Sequence, residues 1–294
     1  MKFNLKLPFR ATLPASSDAV RPTFPVRLIT NSPKLSNSSN SSNSGISSTT
    51  KLVAAYANTS LITGQNDLNL SVPNSLGTTV KSESQALRTR MVHKLAVQGI
   101  ADSHVLAALN LIERHRFVDS ALANQAYEDT SLPIGLGQTI SKPNVVARML
   151  ELLRCGAVGK LGRILEIGTG CGYQAAVLSH LATEVYSIER LRGMHDKSRE
   201  NLRTLRLPNV HLLFGDGMKG YAKGAPYAGI IAAAAGEAIP QTWIEQLAIG
   251  GRLVAPMRTA GGAQALMVVD KTPQGIRRTV LEAVHFVPLK SGTS

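Results

Sequence analysis

Glycines 168, 170 and 172, together with acids at 166, 189 and 216, have the types and spacing to do chemistry. Arg163-Ile-Leu-Glu-Ile167 is mostly β-prone and apolar, as expected of a strand buried in a parallel sheet. Gly168-Thr-Gly-Cys-Gly172 then supplies a turn, and Tyr173–Leu181 continues as a helix. A strand, a glycine turn and a helix start bring bare backbone up to a ligand, with free helix N–H groups aimed at it. Glu189 closes Glu184-Val-Tyr-Ser-Ile-Glu189, an alternating run that reads as the next strand. An acid at that strand end can accept both hydroxyls of a ribose. Gly215-Asp216-Gly217 follows a third strand. A turn that needs glycine only for close packing does not account for three acids at successive strand ends. The pattern asks for a nucleoside-bearing cofactor.

The glycine spacing says which one. A dinucleotide loop has G-x-G-x-x-G, its second glycine making room for a pyrophosphate. Here the spacing is G-x-G-x-G, preceded by Glu166. An acid before so tight a loop suits a cationic amino-acid end better than a diphosphate. The stretch resembles the first motif of S-adenosylmethionine-dependent methyltransferases. Glu166 has two readings, fixing the loop through backbone N–H groups or approaching the cofactor ammonium. Asp216 likewise reads either as a strand-end turn residue or as an adenine-side contact. A nicotinamide-dependent oxidoreductase and a catalytically silent methyltransferase fold are the readings from other classes.

These residues need a frame, and the sequence from Arg163 onward alternates strand and helix. Strands are expected at 163–167, 184–189, 209–214, 229–233 and 251–256, with helices between most of them. That alternation implies an α/β fold, a doubly wound and mostly parallel sheet with right-handed crossovers. Gln264–Asp270 and Arg277–Leu289 read as two further strands paired antiparallel at one edge. Ligands in such sheets lie outside the carboxyl ends of the strands, where the glycine loop, Glu189 and Asp216 all fall.

Upstream, Ser84–Gly99 reads as an amphipathic helix with Leu87, Met91, Leu95 and Val97, and Asp102 caps a second helix carrying Val105, Leu106, Leu109 and Ile112. Arg114-His-Arg-Phe-Val118 leads into a short helix through Ala126, and His115 there reads as part of a solvated basic turn or as local packing. Leu132–Pro143 is rich in turn formers and precedes a helix over Asn144–Leu153. Pro143 suits that helix's first turn, and Ser141 lies where a hydroxyl could cap it.

Residues 1–75 differ in composition. They contain Ser36-Asn-Ser-Ser-Asn-Ser-Ser-Asn-Ser44, with almost nothing apolar to bury. Such a tract cannot offset its ordering entropy. A disordered extension over 1–80 is expected, then a single domain over 81–294: a helical rim and substrate loop at 81–143 and a cofactor-binding α/β core at 144–294. An Arg-bearing, Ser-rich, acid-poor extension also fits an organellar transit peptide. Organellar import is therefore the alternative to a cytoplasmic location.

The formal charge is +13. Within 1–75, Lys2, Lys6, Arg10, Arg21, Arg27, Lys34 and Lys51 face only Asp18 and Asp67, which leaves most of the excess on the folded part. Aromatic content is only 4%, with no aromatics interleaved among the basic residues, so nucleic-acid binding is not expected. A basic field that modestly favours acidic substrates is the better reading. No apolar run reaches the ~18 residues of a membrane span. Seven scattered histidines and two cysteines, Cys155 and Cys171, make no metal spacing and no disulfide framework, which favours a reducing compartment.

Gln138-Thr-Ile-Ser-Lys-Pro143, Leu165-Glu-Ile-Gly-Thr-Gly-Cys-Gly-Tyr-Gln-Ala-Ala-Val177, Val185-Tyr-Ser-Ile-Glu-Arg190, Gly215-Asp-Gly217 and Phe286-Val-Pro-Leu289 together resemble the protein-L-isoaspartate (D-aspartate) O-methyltransferases. The resemblance runs from about Thr89 to Leu289. The Thr-Ile-Ser block is its most discriminating part, because most other methyltransferases lack it. It implies methyl transfer from S-adenosylmethionine to the α-carboxylate of isoaspartyl residues in damaged proteins and peptides. A monomer acting without nucleic acid or membrane is expected. The resemblance places Gly168, Gly170 and Gly172 at the cofactor's amino-acid end. It puts Glu189 on the ribose, and Asp216 with Gly217 around the adenine. Ser141 matches the active-site serine, with Gln138, Thr139 and Ile140 as the neighbouring wall. Three positions depart from the pattern: Cys171 where serine is common, Ala228 where Asp is usual, and Lys290 where the tail commonly continues with Thr. The bland reading of Ser141 as a helix cap stays compatible with the functional one. The alternative acceptor is another small carboxylate.

The implied chemistry makes modest demands. A carboxylate is ionised at neutral pH, with a reference pKa of about 4, so attack on a sulfonium methyl needs no general base, metal or nucleophile relay. In-line placement and desolvation are the tasks.

Overall fold

The computed structural model describes residues 75–294, so the expected extension up to residue 74 lies outside the described residues. The first helix, α1 (Ser75–Val97), begins nine residues before the expected Ser84 and reaches back into the segment expected to be disordered up to residue 80. Its buried face also differs. Arg88, Met91 and Leu95 turn inward, at i, i+3 and i+7, while Leu87 and Val97 face solvent. Helix α2 (Ser103–Leu111) is capped as expected, with Asp102 accepting hydrogen bonds from the N–H groups of His104 and Val105. Arg154 donates to the same carboxylate at 2.8 Å. Two 3₁₀ turns follow at Arg114–Phe117 and Ser120–Gln125, where a short helix was expected.

A two-stranded hairpin comes next, β1 (Leu132–Gly135) and β2 (Gln138–Ile140), paired antiparallel. Its tip, Gly135-Leu136-Gly137, has positive φ at all three residues, a backbone path that glycine takes readily and leucine does not. The tip is tied down from outside, as Lys197 donates to the Ile134 carbonyl at 2.7 Å. Helix α3 (Pro143–Arg154) then opens on proline as expected.

From there the chain alternates β3 (Leu161–Ile167), α4 (Tyr173–Leu181), β4 (Ala182–Glu189), α5 (Arg192–Arg203), β5 (Val210–Phe214), β6 (Tyr227–Ala232), α6 (Gln241–Gln246) and β7 (Leu247–Arg258). Strands β8 (Gln264–Thr272) and β9 (Gly275–Ala283) complete a seven-stranded sheet ordered β5-β4-β3-β6-β7-β8-β9. The first five are parallel and the last two antiparallel, as expected. The expected strand over Arg277–Leu289 is shorter. It ends at Ala283, and the following residues leave the edge to bridge Ala235 through Pro288. Successive strand residues enter apolar clusters on opposite faces, Ile164 on one and Leu165 on the other, Ile231 and Ile230 likewise. Burial on both faces explains why these strands read as continuous apolar runs.

The strand order reverses at β3. β4 and β5 extend to one side, β6 and β7 to the other. Such a reversal leaves a crevice at the carboxyl ends of the strands.

Candidate active site

That crevice holds a cavity of about 560 Å³, within the range of small-molecule sites. Its floor comes from the ends of β3, β4 and β6, through Ile167–Cys171, Ile188–Leu191 and Ala233–Ala234. Its walls come from the β1–β2 hairpin with Ser141, and from the terminal stretch Val287–Lys290 and Ser294.

The glycine loop is built as its spacing suggests. Gly168, Gly170 and Gly172 have φ of +89°, +56° and +91°, all in the region glycine favours. The N–H groups of Gly168 and Thr169 donate to the Ile188 carbonyl, at 2.8 and 3.2 Å. Glu189 closes the loop, its Oε2 accepting from the Gly170 N–H and its Oε1 from the Leu191 N–H, each at 2.9 Å. A carboxylate oxygen accepts two hydrogen bonds, so each retains capacity toward the cavity. Gly172 lies off the cavity wall. It opens α4, and a Cβ there would press within 3.0 Å of Leu202.

Glu166 is fully buried beneath the loop and does not line the cavity. It sits in register with Ser187 on the neighbouring strand, and that hydroxyl donates to its Oε2. Ser187 in turn shares a 2.7 Å hydrogen bond with Thr169. Burial pushes the Glu166 carboxyl up to about 8, against the pull of Ser187 and Gln174. No backbone N–H of the loop donates to it among the described residues; its Oε2 meets the Ser187 hydroxyl and its buried Oε1 has no hydrogen-bond partner. Asp216 is also off the wall. One of its oxygens caps the Met218 N–H and the other accepts from the Gly292 N–H, both at 2.9 Å. Gly217 does line the cavity, and a Cβ on it would fall 2.6 Å from Ile167, so glycine is required there for packing.

Gln138, Thr139, Ile140 and Ser141 all line the opposite wall. The capping reading of Ser141 fails. The residue flanking α3 is Lys142, which makes no side-chain cap bond, and the Asn144 N–H is met by Asp129 at 2.9 Å. Ser141 is instead held through its carbonyl, by Arg114 at 2.8 Å. Arg114 is fully buried, which rules out a solvated basic turn, and His115 is packed locally on the Tyr127 hydroxyl at 2.7 Å. The expected helical rim forms none of the cavity wall, and the hairpin tip with Leu136 takes that place. Leu136 is 62% exposed at positive φ, an apolar residue held open at the mouth. Its signal in the sequence was the Gly-Leu-Gly triplet, which reads as a turn before it reads as a lip.

The departures have simple settings. Cys171 is buried in the cavity wall, where burial pushes its thiol up to about 11 and keeps it neutral. Ala228 faces Gly162 so closely that even a methyl there would lie 3.1 Å away. Lys290 is exposed at the cavity edge. Among the described residues no group of three His, Cys, Asp or Glu gathers as a metal would need, and no helix is long and apolar enough to cross a membrane.

Comparison with known proteins agrees with this geometry. The family model for protein-L-isoaspartate(D-aspartate) O-methyltransferase matches residues 86–294. A protein-L-isoaspartate O-methyltransferase of Methylibium petroleiphilum is 61% identical over 214 residues, 72% of this chain and 80% of the relative. One from Leptothrix cholodnii is 60% identical over 215 residues, 72% of this chain and 76% of the relative. A solved protein-L-isoaspartate O-methyltransferase superposes with a TM-score of 0.63 at 28% identity, covering 69% of this chain and 66% of its own. A Plasmodium falciparum structure in complex with S-adenosyl-L-homocysteine shares the fold at 23% identity, with a TM-score of 0.61 over 69% of this chain and 98% of its own. The strand-end glycine loop, its carboxylate clamp and the Thr-Ile-Ser wall thus occur in a chain that belongs to the protein-L-isoaspartate (D-aspartate) O-methyltransferase family.

Proposed function

We propose that this one cavity holds both cofactor and acceptor, with Ser141 as the acceptor-side contact. The enzyme transfers a methyl group from S-adenosylmethionine to the α-carboxylate of L-isoaspartyl and D-aspartyl residues in damaged proteins, the step that initiates their repair. The observation that carries the site reading is Ser141 itself. It is relieved of capping by Asp129 and shares a cavity wall with the hairpin, opposite Glu189 and the glycine loop.

The residues present fit the cofactor. Gly168 and Gly170 offer open backbone at positive φ, Glu189 keeps acceptor capacity for ribose hydroxyls, and Gly217 leaves room on the adenine side. Gly172, Glu166 and Asp216 serve from behind, shaping the loop and the β5 turn. When bound, S-adenosylmethionine supplies an electrophilic methyl on a sulfonium. Ser141 then donates a hydrogen bond that orients the ionised acceptor carboxylate, while Gln138, Thr139 and Ile140 flank it. The apolar parts of the wall, Ile134, Val146 and Ile167, exclude water from the reacting pair. Proton transfer by the protein is not required.

Ser141→Ala is expected to lower kcat/KM on an isoaspartyl peptide by about tenfold to 150-fold, the loss of a hydrogen bond to a charged group worth roughly 1.5–3 kcal/mol. Affinity for S-adenosylhomocysteine, read by calorimetry, should change little. A fall in cofactor affinity instead would assign the serine to the other half of the site.

The unit acting is proposed to be one chain, residues 81–294, in a reducing compartment. The reading of the compartment is supported by Cys155, exposed, and Cys171, buried, both being free thiols. A chain beginning at Ser75, where α1 starts, is expected to keep the full-length rate within about a factor of two. A tenfold loss would show that the preceding residues take part in the site.

A further inference from the structure

Arg114 is a fully buried cation with no carboxylate within 4.0 Å among the described residues, since no ion pair includes it. Its guanidinium is spent on backbone carbonyls. Nε donates to Ala126 at 2.7 Å, and one terminal nitrogen donates to Ser141 at 2.8 Å and to Thr130 at 3.5 Å. The other terminal nitrogen has no hydrogen-bond partner. The guanidinium carbon stands 5.0 Å from the centroid of the Tyr173 ring, and both Tyr173 and Ser141 line the cavity. Burying an unpaired charge is expensive, and proteins tolerate it where a partner or a ligand supplies the compensation. Burial disfavours the charged form of Arg114, while Tyr173, Cys171 and then Asp129 favour it; Asp129 already has an oxygen on the Asn144 N–H of α3.

We infer that Arg114 is a positioning residue of the acceptor half-site: it fixes Ser141 through its carbonyl and places behind it the positive potential that selects an ionised carboxylate. The inference rests on the reading of Ser141 given above. A planar fork suits this task, because it joins the 126–130 stretch to Ser141 through three carbonyls with one rigid group, which an ammonium cannot do. The electrostatic consequence has a direction. During transfer the acceptor's negative charge and the methyl donor's positive charge both disappear as the oxygen–carbon bond forms and the carbon–sulfur bond breaks. A fixed cation behind Ser141 therefore favours the ionised acceptor over the half-neutralised transition state and over the neutral ester. Its loss should be felt in acceptor binding, and it should favour departure of the product in the intact enzyme.

The test uses the full chain, an isoaspartyl peptide as acceptor and calorimetry with S-adenosylhomocysteine. Arg114→Met is expected to raise the acceptor KM at least tenfold and to change kcat less than KM, with cofactor affinity within about threefold of the parent. Arg114→Lys restores the charge without the fork and should recover part of the KM. In a Ser141→Ala background the Arg114→Lys effect should shrink to less than half in logarithmic terms, because the group it positions is gone. An unchanged KM in either variant, an equal loss of cofactor affinity, or an undiminished effect in the Ser141→Ala background overturns this inference alone. If Arg114→Met does not fold, the lysine variant decides by the same readings. A Ser141→Ala enzyme with unaltered kcat/KM would instead remove the reading of the serine, and this inference with it.

Discussion

A peptide carrying a single L-isoaspartyl residue is expected to accept labelled methyl from S-adenosylmethionine far better than the same peptide with a normal aspartyl linkage, by roughly 10²-fold or more in kcat/KM. The isoaspartyl linkage routes the main chain through the side chain and leaves the α-carboxylate one methylene nearer the backbone. In this cavity Ser141 and the glycine loop are each fixed by hydrogen bonds, to Arg114 and to Glu189. The acceptor must therefore come to the methyl, and a displacement of about 1 Å lowers such a rate by about 10²-fold. Contacts to flanking peptide at the mouth, where Leu136 is exposed, are spent on aligning the misrouted carboxylate. The measurement is base-labile methyl ester formed on matched peptides. Equal esters on both, or transfer only to small free acids, would show that the fold is right and the acceptor wrong.

Gly170→Val is expected to abolish detectable S-adenosylhomocysteine binding in a protein that still folds. The structure changes the reason one would give. A Cβ at Gly170 meets only an Ile134 methyl at 3.5 Å, so the protein itself has room for it. The damage comes from φ of +56°, which a β-branched residue avoids, and from the cavity side of the loop, where a side chain occupies ligand space. If the loop shifts, the 2.9 Å hydrogen bond from the Gly170 N–H to Glu189 goes with it, and the Glu189 carboxylate loses its placement. Gly170→Ala should lose less, and circular dichroism separates binding loss from unfolding. A folded valine variant with undiminished affinity would exclude this loop from the site.

How far these residues could be read from the sequence follows from which interactions are local. The strand–glycine–helix unit at 163–181 is local: its apolar run, its turn glycines and its helix are consecutive, so spacing alone is enough. The parallel sheet followed too, since alternating strands and helices leave few arrangements. Asp102 capping α2 is a contact between residues two and three apart and was legible for the same reason. Other features depend on partners far along the chain, and spacing cannot name those. Asp129 reaches Asn144 across 15 residues, which removed Ser141 from capping duty. Arg114 reaches Ser141 across 27, which turned an apparent surface basic run into a buried support. Glu166 faces Ser187 across 21, so an acid that looked aimed at the cofactor is sealed beneath the loop. Asp216 reaches Gly292 across 76, and its carboxylate is tied to the terminal stretch. The rim misled for a related reason. Helical periodicity reports that a face is buried, not what it is buried against, and α1 and α2 pack away from the cavity while the hairpin at Leu132–Ile140 forms its wall. The sequence by itself determined the chemistry on offer, through glycines and acids whose backbone roles are local. Only the tertiary structure decided which of those acids faces the cavity, because burial and long-range hydrogen bonds assign a carboxylate its partner.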